Sequence, residues 1–415
     1  MALTLEIAFW FCLAAVFYNY VGYPIVMLFL ASVSQVGSDL AFLAGRTSRR
    51  QSSRLEERPA AAILISAFNE EAVIRARVEN ALDADPIQIS EVLVGLDAPT
   101  DCTYDILSQI HSDRLRIFRF SSRRGKLAVL RDLAEQTSVE VLVLTDAETN
   151  FAPNCVQRLV RHFADPRVGV AGGELRIIEP DGRTPVEGFY WRYELILKFL
   201  ENRLNCVQGA VGAVYAVRRT LFLKQKASFA EDFQLPMEIQ HAGYRMVYDP
   251  EATAIESAAP TFAAEFRRRV RLGAADYQIL LHNPRFLNPL KGMLTFAYVS
   301  HKVFRWLGPL FLLGALLASI CLVSSRIYFW LCLCQLVFYG AAAFGYWRKS
   351  RNESAGIFSL PLYFSAMNLA LLFGLMRYAS GRQKMAWDVT PRSSVKIGGI
   401  SNAEEVSKVN TMNER

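Results

Sequence analysis

Two carboxylates, Asp146 and Glu148, close the apolar run Val141-Leu-Val-Leu-Thr-Asp-Ala-Glu-Thr149. Such a run reads as a buried parallel strand. Side chains alternate along a strand, so residues i and i+2 leave the same face. Two acids on one face of a strand tip can share a hard cation. Mg2+ and Mn2+ favour oxygen ligands, commonly one or two carboxylates together with phosphate oxygens. The pair points to a nucleotide diphosphate held through a metal. A turn or helix cap just past the strand is the plain structural alternative.

Other polar groups follow apolar runs in the same way. Phe68-Asn-Glu-Glu71 follows the candidate strand 60–67, and Asp97-Ala-Pro-Thr-Asp101 follows 91–97. A further strand is expected at 115–120, and the carboxylate-tipped one at 139–145. The loop Arg123-Arg-Gly-Lys126 precedes a helix expected to begin near Leu127. Helix N-termini favour anions, and Arg and Lys add direct charge. Strands alternating with helical stretches from Pro59 to about Ser257 predict an α/β domain with a mostly parallel sheet. Ligands of such sheets bind at the carboxyl ends of the strands, which places these carboxylates and cations on one rim.

The chain has 415 residues, 52% of them hydrophobic, and a net charge of +7. Its basic residues cluster beside apolar segments, a membrane-flank pattern and not a nucleic-acid one. Seven Cys without a CxxC pair and five His without an HExxH spacing indicate neither a zinc site nor a disulfide framework. No GxxxxGK[ST] loop is present, and no GxGxxG follows the first strand, so P-loop and dinucleotide folds are not indicated.

Ile7 to Leu30 is long and apolar enough to span a bilayer, and Arg46, Arg49, Arg50, Arg54 and Arg58 follow it. The positive-inside rule puts that flank in the cytosol. Phe262 to Leu281 mixes basic and apolar residues at helical spacing and reads as a helix in the membrane interface, with Gly292 to Arg305 as a second. Spans are expected at 307–324, 327–346 and 357–378. Arg348, Lys349 and Arg351 then lie on the opposite side of the last span from Arg377, Arg382 and Lys384. The rule cannot favour both sides, so one segment is re-entrant or interfacial, or the rule fails here. The expected organisation is an N-terminal transmembrane helix at 1–35, a basic linker at 36–58 and a cytosolic catalytic domain at 59–260. Interfacial helices at 261–305, transmembrane helices at 306–379 and a polar tail at 380–415 follow.

These residues, in this order, resemble the membrane-bound family 2 glycosyltransferases, which include hyaluronan, chitin, cellulose and poly-N-acetylglucosamine synthases. The likeness runs from about Val21 to Arg392. Its carriers are Tyr20-Val-Gly-Tyr-Pro24, Ile65-Ser-Ala-Phe-Asn-Glu-Glu71, Asp97-Ala-Pro-Thr-Asp101 (similar to the family's D-x-S-x-D motif, with Thr for Ser), Gly125-Lys126, Asp146-Ala-Glu148 and Ala230-Glu-Asp-Phe-Gln-Leu235. The resemblance implies a GT-A fold, a nucleotide-sugar donor (usually a UDP-sugar) and a divalent cation, Mg2+ or Mn2+. By the same resemblance Asn69, Glu70, Asp97 and Lys126 line the nucleotide pocket, and Asp146 and Glu148 hold the metal. Asp232 is then the base for a single inverting displacement; the alternative is that Glu231-Asp232 caps a helix starting near Phe233. The small residues of Gln208 to Arg219 would let a sugar approach the backbone, or make a tightly packed turn.

The processive members carry a Q-x-x-R-W motif that this chain lacks. Arg267-Arg-Arg-Val-Arg271 followed by Asp276-Tyr-Gln278 stands in the corresponding region. Arg271 or Arg268 is expected at the diphosphate and Gln278 toward the acceptor; headgroup binding is the other use of the arginines. The expected function is transfer of a sugar to a growing surface polysaccharide by a multi-pass protein of the inner (plasma) membrane. Transfer to a lipid-linked acceptor and a non-catalytic binding subunit are the alternatives. Membrane lipids are expected partners, and nucleic acid is not.

Overall fold

The helix Ala2–Leu43 is long and apolar enough to cross a membrane. In the computed structural model it consists of α1 (Ala2–Phe17), a π-helical segment at Tyr18–Gly22 and α2 (Tyr23–Leu43). The described residues are 2–46, 59–85, 89–178, 188–224, 230–258, 261–351 and 353–381. Arg49, Arg50, Arg54 and Arg58 of the basic flank, and the tail from Arg382, lie outside them. The helix runs eight residues beyond the expected limit at 35, because its second half has a protein partner. Tyr23, Met27 and Ala31 are buried with Leu197 and Leu200 of a helix described below.

The catalytic region shows why its strands are apolar throughout. In β1 (Ala61–Ala67), Ala61, Ile63, Ile65 and Ala67 enter one core while Ala62 and Leu64 enter another. β4 (Val141–Asp146) divides likewise, Val141 and Val143 against Leu142 and Leu144. A strand covered on both faces cannot alternate apolar with polar residues. α3 (Ile74–Asp83), α4 (Thr103–Ser108) and α6 (Cys155–Val160) cover the first face. α5 (Lys126–Glu135), α8 (Arg219–Lys224) and α9 (Glu231–His241) cover the second, and α7 (Gly188–Arg203) joins this body to α2.

The remaining strands are β2 (Ile89–Asp97), β3 (Leu115–Phe120), β5 (Asn150–Phe151), β6 (Val168–Ile178), β7 (Tyr215–Arg218) and β8 (Arg245–Ser257). The sheet order is β3-β2-β1-β4-β7-β6-β8-β5. β3, β2, β1 and β4 are mutually parallel, β7 runs antiparallel to both its neighbours, and β6 is parallel to β8. The start of β7 therefore meets the end of β4: Tyr215 pairs with Leu144, two residues before Asp146. The expected strands match to within two residues at each end.

Beyond the sheet come α10 (Phe262–His282), α11 (Met293–Ala297), a second π-helical segment at Tyr298–Val303, α12 (Phe304–Cys321), α13 (Arg326–Ser350) and α14 (Ser359–Ala379). Among the described residues four helices are long and apolar enough to cross a membrane: Ala2–Leu43, Met293–Cys321, Arg326–Ser350 and Gly356–Ala379. The expected second interfacial helix at 292–305 is not separate, since Met293–Cys321 is continuous. Its first turns are tied to the catalytic body, where Gln208 Nε2 donates to the Leu294 carbonyl at 3.4 Å. α14 runs beside α10 along its length, through the ring contacts Phe262–Tyr363, Phe266–Phe373 and His282–Tyr378. Lys349, at the end of α13, lies over Phe262 at the start of α10. The basic ends around Lys349 and Arg377, which the charge rule set against each other, thus both border α10.

Candidate functional site

At the rim above β1 and β2 the polar residues bind one another. Asn69 takes a left-handed backbone (φ 56°), and its side chain bonds Thr100 twice, accepting from the Thr100 N–H at 2.8 Å and donating to Oγ1 at 3.0 Å. The Glu70 N–H donates to Thr103 Oγ1 at 2.8 Å. Asp101 accepts from Thr103 Oγ1 at 2.6 Å and from the Glu71 N–H at 3.1 Å. Burial works against its ionisation, but these bonds outweigh it and lower its pKa. Asp97, 4% exposed, accepts from the Arg124 N–H at 2.7 Å and the Gly125 N–H at 2.8 Å. It thereby fixes the loop that delivers Lys126. Gly125 is needed there because its φ of 89° is strained for any residue with a Cβ.

Lys126 opens α5, one residue earlier than expected. Its ammonium lies 2.7 Å from Asp146 Oδ1 and 2.8 Å from Glu231 Oε1, and donates to the Gly212 carbonyl at 3.3 Å. Burial opposes its charge, yet Asp146 and Glu231 together raise its pKa well above the usual lysine range. Below, the buried Arg77 fixes the end of β4. Its Nε donates to the Asp146 carbonyl and its Nη2 to Thr145 Oγ1, both at 3.3 Å, while the guanidinium stacks on Phe151. Burial lowers its pKa to about 9. Its sequence signal was a charge among Ile74, Val78 and Ala81, on the apolar stripe of α3.

One geometric expectation fails. β4 ends at Asp146, and Ala147 and Glu148 form a turn closed by the Thr149 N–H to the Asp146 carbonyl at 3.4 Å. Strand alternation therefore does not set the direction of Glu148. Both acids still stand at one strand end, Asp146 with its carboxylate already against a cationic nitrogen. Among the described residues no three His, Cys, Asp or Glu side chains converge into a closed metal cage. Two hard oxygen donors in an open position fit a Mg2+ or Mn2+ ion completed by diphosphate and water oxygens.

Asp232 faces this cluster from α9. That helix begins at Glu231, not near Phe233, and its N-cap is Ala230 with no side-chain capping bond. The helix-cap reading of Asp232 therefore falls. Its Oδ2 accepts from the Gly212 N–H at 3.2 Å, and its carbonyl from the Ala210 N–H at 2.8 Å. A Cβ at Gly212 would stand 3.2 Å from that same Oδ2, so the small residues of 208–214 admit the α9 terminus closely. Burial, and after it the Glu231 charge, pushes the Asp232 carboxyl up to about 6. Sequence reading missed Glu231, buried and paired with Lys126.

A further carboxyl approaches from α10. Burial raises Asp276 to about 7; Asp232 raises it too, against Lys302 and Arg269. Arg269 lies two turns before Asp276 on the same helix face. Arg271, half-buried on α10, is roughly 140° round the helix from Asp276 at 100° per residue. Arg269, also bonded to Glu265 at 2.6 Å, takes the face of Asp276, and Arg271, expected at the diphosphate, lies on another face. Gln278 Oε1 is buried without a hydrogen-bond partner.

Residues 62–238 match the family model of Glycosyl transferase family 2. A poly-beta-1,6-N-acetyl-D-glucosamine synthase of Staphylococcus aureus (strain COL) is 23% identical over 248 residues, 57% of this chain and 59% of that protein. An N-acetylglucosaminyltransferase of Rhizobium sp. (strain N33) is 24% identical over 213 residues, 48% of this chain and 46% of that protein. The chain thus spans less than two thirds of the length of these curated relatives. Among solved structures, a mannosyltransferase from Pyrobaculum calidifontis, in complex with GDP-Man and Mn2+, superposes with a TM-score of 0.67 at 19% identity. That match covers 91% of this chain and 99% of the other, so the fold likeness includes the helices outside the sheet.

Proposed function

We propose, since residues 62–238 form a glycosyl transferase family 2 domain, that the chain is a membrane-bound inverting glycosyltransferase. Its donor is a nucleotide sugar, a UDP-sugar in our reading, and its acceptor a growing surface polysaccharide. The catalytic domain lies on the cytosolic side of the inner (plasma) membrane. The observation that carries this reading is Asp232: a carboxyl raised to about 6, held by the Gly212 N–H beside the Lys126–Asp146–Glu231 cluster.

Each residue then has a role. Asn69, Glu70 and Asp97 shape the nucleotide pocket, Asp97 by fixing the loop before Lys126. Asp146 and Glu148 hold the cation, and Lys126 compensates charge as the diphosphate departs. A bound Mg2+ or Mn2+ supplies further charge neutralisation to that leaving group. The acceptor oxygen forms its bond to the sugar's anomeric carbon while the bond to the diphosphate breaks. The diphosphate keeps the electron pair, and Asp232 takes the hydroxyl proton. One displacement inverts the anomeric configuration.

A second reading, transfer to a lipid-linked acceptor, is favoured by the charged cluster where α7 meets α12 and its π-helical segment. Incubating the purified protein in lipid with a panel of nucleotide sugars and Mn2+, then weighing the products, tests both. A polymer supports the first reading and a single addition the second. No donor consumption with any sugar overturns the assignment.

A further inference from the structure

α10 is too charged to cross a bilayer. Its 21 residues include Glu265, Arg267, Arg268, Arg269, Arg271 and Asp276, and charges at that density are too costly to place in hydrocarbon. α14 also has 21 residues, and Arg377 is the one charged residue among them. Length and composition alone therefore make α14 a candidate span.

Yet α14 runs parallel to α10 from end to end. Phe262 meets Tyr363 at 5.8 Å, Gly273 lies against Leu371, and His282 meets Tyr378 at 6.3 Å. At the closest approach the two backbones touch. A Cβ at Gly374 would stand 2.8 Å from the Ala274 nitrogen, and one at Gly273 would stand 3.3 Å from Leu371 Cα. Helices paired in this way share one depth at both ends. A partner that cannot enter hydrocarbon keeps α14 from crossing it.

The other neighbours of α14 agree. Just before its start, Phe358 meets Phe344 at 5.0 Å, near the end of α13. Toward its other end, Leu375 and Tyr378 pack into the cluster that holds Met237 of α9 and Phe286. The chain after α10 is tied to the same sheet-bearing body, Lys291 Nζ donating to the His241 carbonyl at 2.7 Å. Midway, Phe364 meets Phe338 and Tyr20, and Asn368 Oδ1 lies 3.1 Å from the Cβ position of Gly308, in the second turn of α12. α12 continues about 20 Å beyond Gly308. There Ala315 and Ala318 pack with Phe9 of α1 and Tyr328 of α13, a cluster without an α14 member among the described residues.

The outer face of α14 suits a shallow place. Leu369, Phe373 and Met376 are exposed at i, i+4 and i+7, so they form one stripe, roughly opposite the flank that meets α10. Tyr346 and Trp347 are exposed beside the start of α14, and aromatic side chains of this kind mark the membrane–water boundary.

We propose that α14 lies in the plane of the membrane, in the leaflet beneath the sheet-bearing body, with its Leu369–Phe373–Met376 stripe against the acyl chains. The partner of this surface is a lipid boundary, as for other in-plane amphipathic helices. Three of the four candidate helices then cross. Lys349 and Arg377 fall on one side, which removes the conflict with the positive-inside rule. The chain emerges at Ser380 on the side of the sheet. This placement does not depend on the donor, acceptor or base assigned above.

Labelling of the full chain with a membrane-impermeant maleimide, in sealed vesicles of each orientation and read by peptide mass, tests it. The exposed Cys102 reports the side of the sheet, and Ser324→Cys, in the turn between α12 and α13, reports the far side. Ser380→Cys should be modified in the same vesicles as Cys102 and protected where Ser324→Cys reacts. Modification of Ser380→Cys together with Ser324→Cys overturns the proposal. Depth is read with a fluorophore on Phe373→Cys. A lipid spin label near the headgroup should quench it more than one at the chain end, the reverse of the same fluorophore on Leu313→Cys of α12. Stronger quenching of Phe373→Cys from the chain end would put α14 deep in hydrocarbon and overturn the placement as well.

Discussion

The two sides of the site treat their carboxylates differently. On the proposed donor side, Asp97 and Asp101 are consumed by loop N–H and hydroxyl groups, and Asp146 pairs with Lys126. On the proposed acceptor side, Asp232 has one backbone bond and the nearby charge of Glu231, and Asp276 is raised with it. The first group is spent on shaping a loop and pairing a lysine. The second group is raised by burial, Asp232 to about 6 and Asp276 to about 7. The same side chain serves opposite ends through its surroundings.

The sharpest way to break this contrast is to remove the acceptor-side acid. Asp232→Asn should leave UDP binding intact and lower the transfer rate about 10²–10⁴-fold, the usual cost of losing a positioned base. Near-normal transfer with full UDP binding would end the base assignment. The donor-side counterpart is Asp146→Asn. It should weaken metal-dependent UDP binding by at least the roughly 10–100-fold that loss of an outer-shell partner costs. Calorimetry with and without Mn2+ checks it, and unchanged affinity would release Asp146 from that role.

A pH profile sharpens the contrast without mutation. With Asp232 raised from 3.8 to about 6, its ionised fraction climbs through that pH. The transfer rate under saturating donor should therefore rise roughly tenfold between about pH 5 and pH 7. The stability sign is opposite: a carboxyl raised in the folded state stabilises at low pH, and that contribution falls as pH rises from about 3.8 to 6. A flat rate profile over this window would contradict a base with that pKa. The smallest effect belongs to the donor-side scaffold. Asp97→Ala strands the N–H groups of Arg124 and Gly125, and should cost about 1–3 kcal/mol of stability in denaturant unfolding. An unchanged midpoint would mean that the loop before Lys126 is held by other contacts.

How far the sequence could be read follows the same division. The parallel strands β1 to β4 were legible because burial on both faces leaves an unbroken apolar signature ending in a polar residue. Asp97 and Asp146 sit at those ends, so pattern alone located them, while Lys126 opens the helix after β3. Glu231 and Arg77 were hidden for a different reason. Each is a charge made tolerable by a partner far along the chain, Lys126 in one case and the end of β4 in the other. Sequence spacing carries no trace of such a pairing. The same-face geometry expected of Glu148 failed because strand alternation was extended two residues past the point where a turn closes. The contiguity of Met293–Cys321 was missed since Lys302 and Arg305 look like a membrane boundary. Their charges are absorbed by Glu194 and His301 instead.

The π-helical turn in the Ala2–Leu43 helix has a mechanical consequence. One extra residue in a turn advances the following side chains by about 100° round the axis. The helix is thereby a crankshaft: the segment before Tyr18 presents Phe9 to Ala315, Ala318 and Tyr328, and the segment after Gly22 presents Tyr23 and Met27 to Leu197. One rigid rod is thus bolted both to the bilayer bundle and to the sheet-bearing body, at different azimuths. Torque on either half is transmitted to the other. A chain one residue shorter between Tyr18 and Gly22 could satisfy only one of the two couplings.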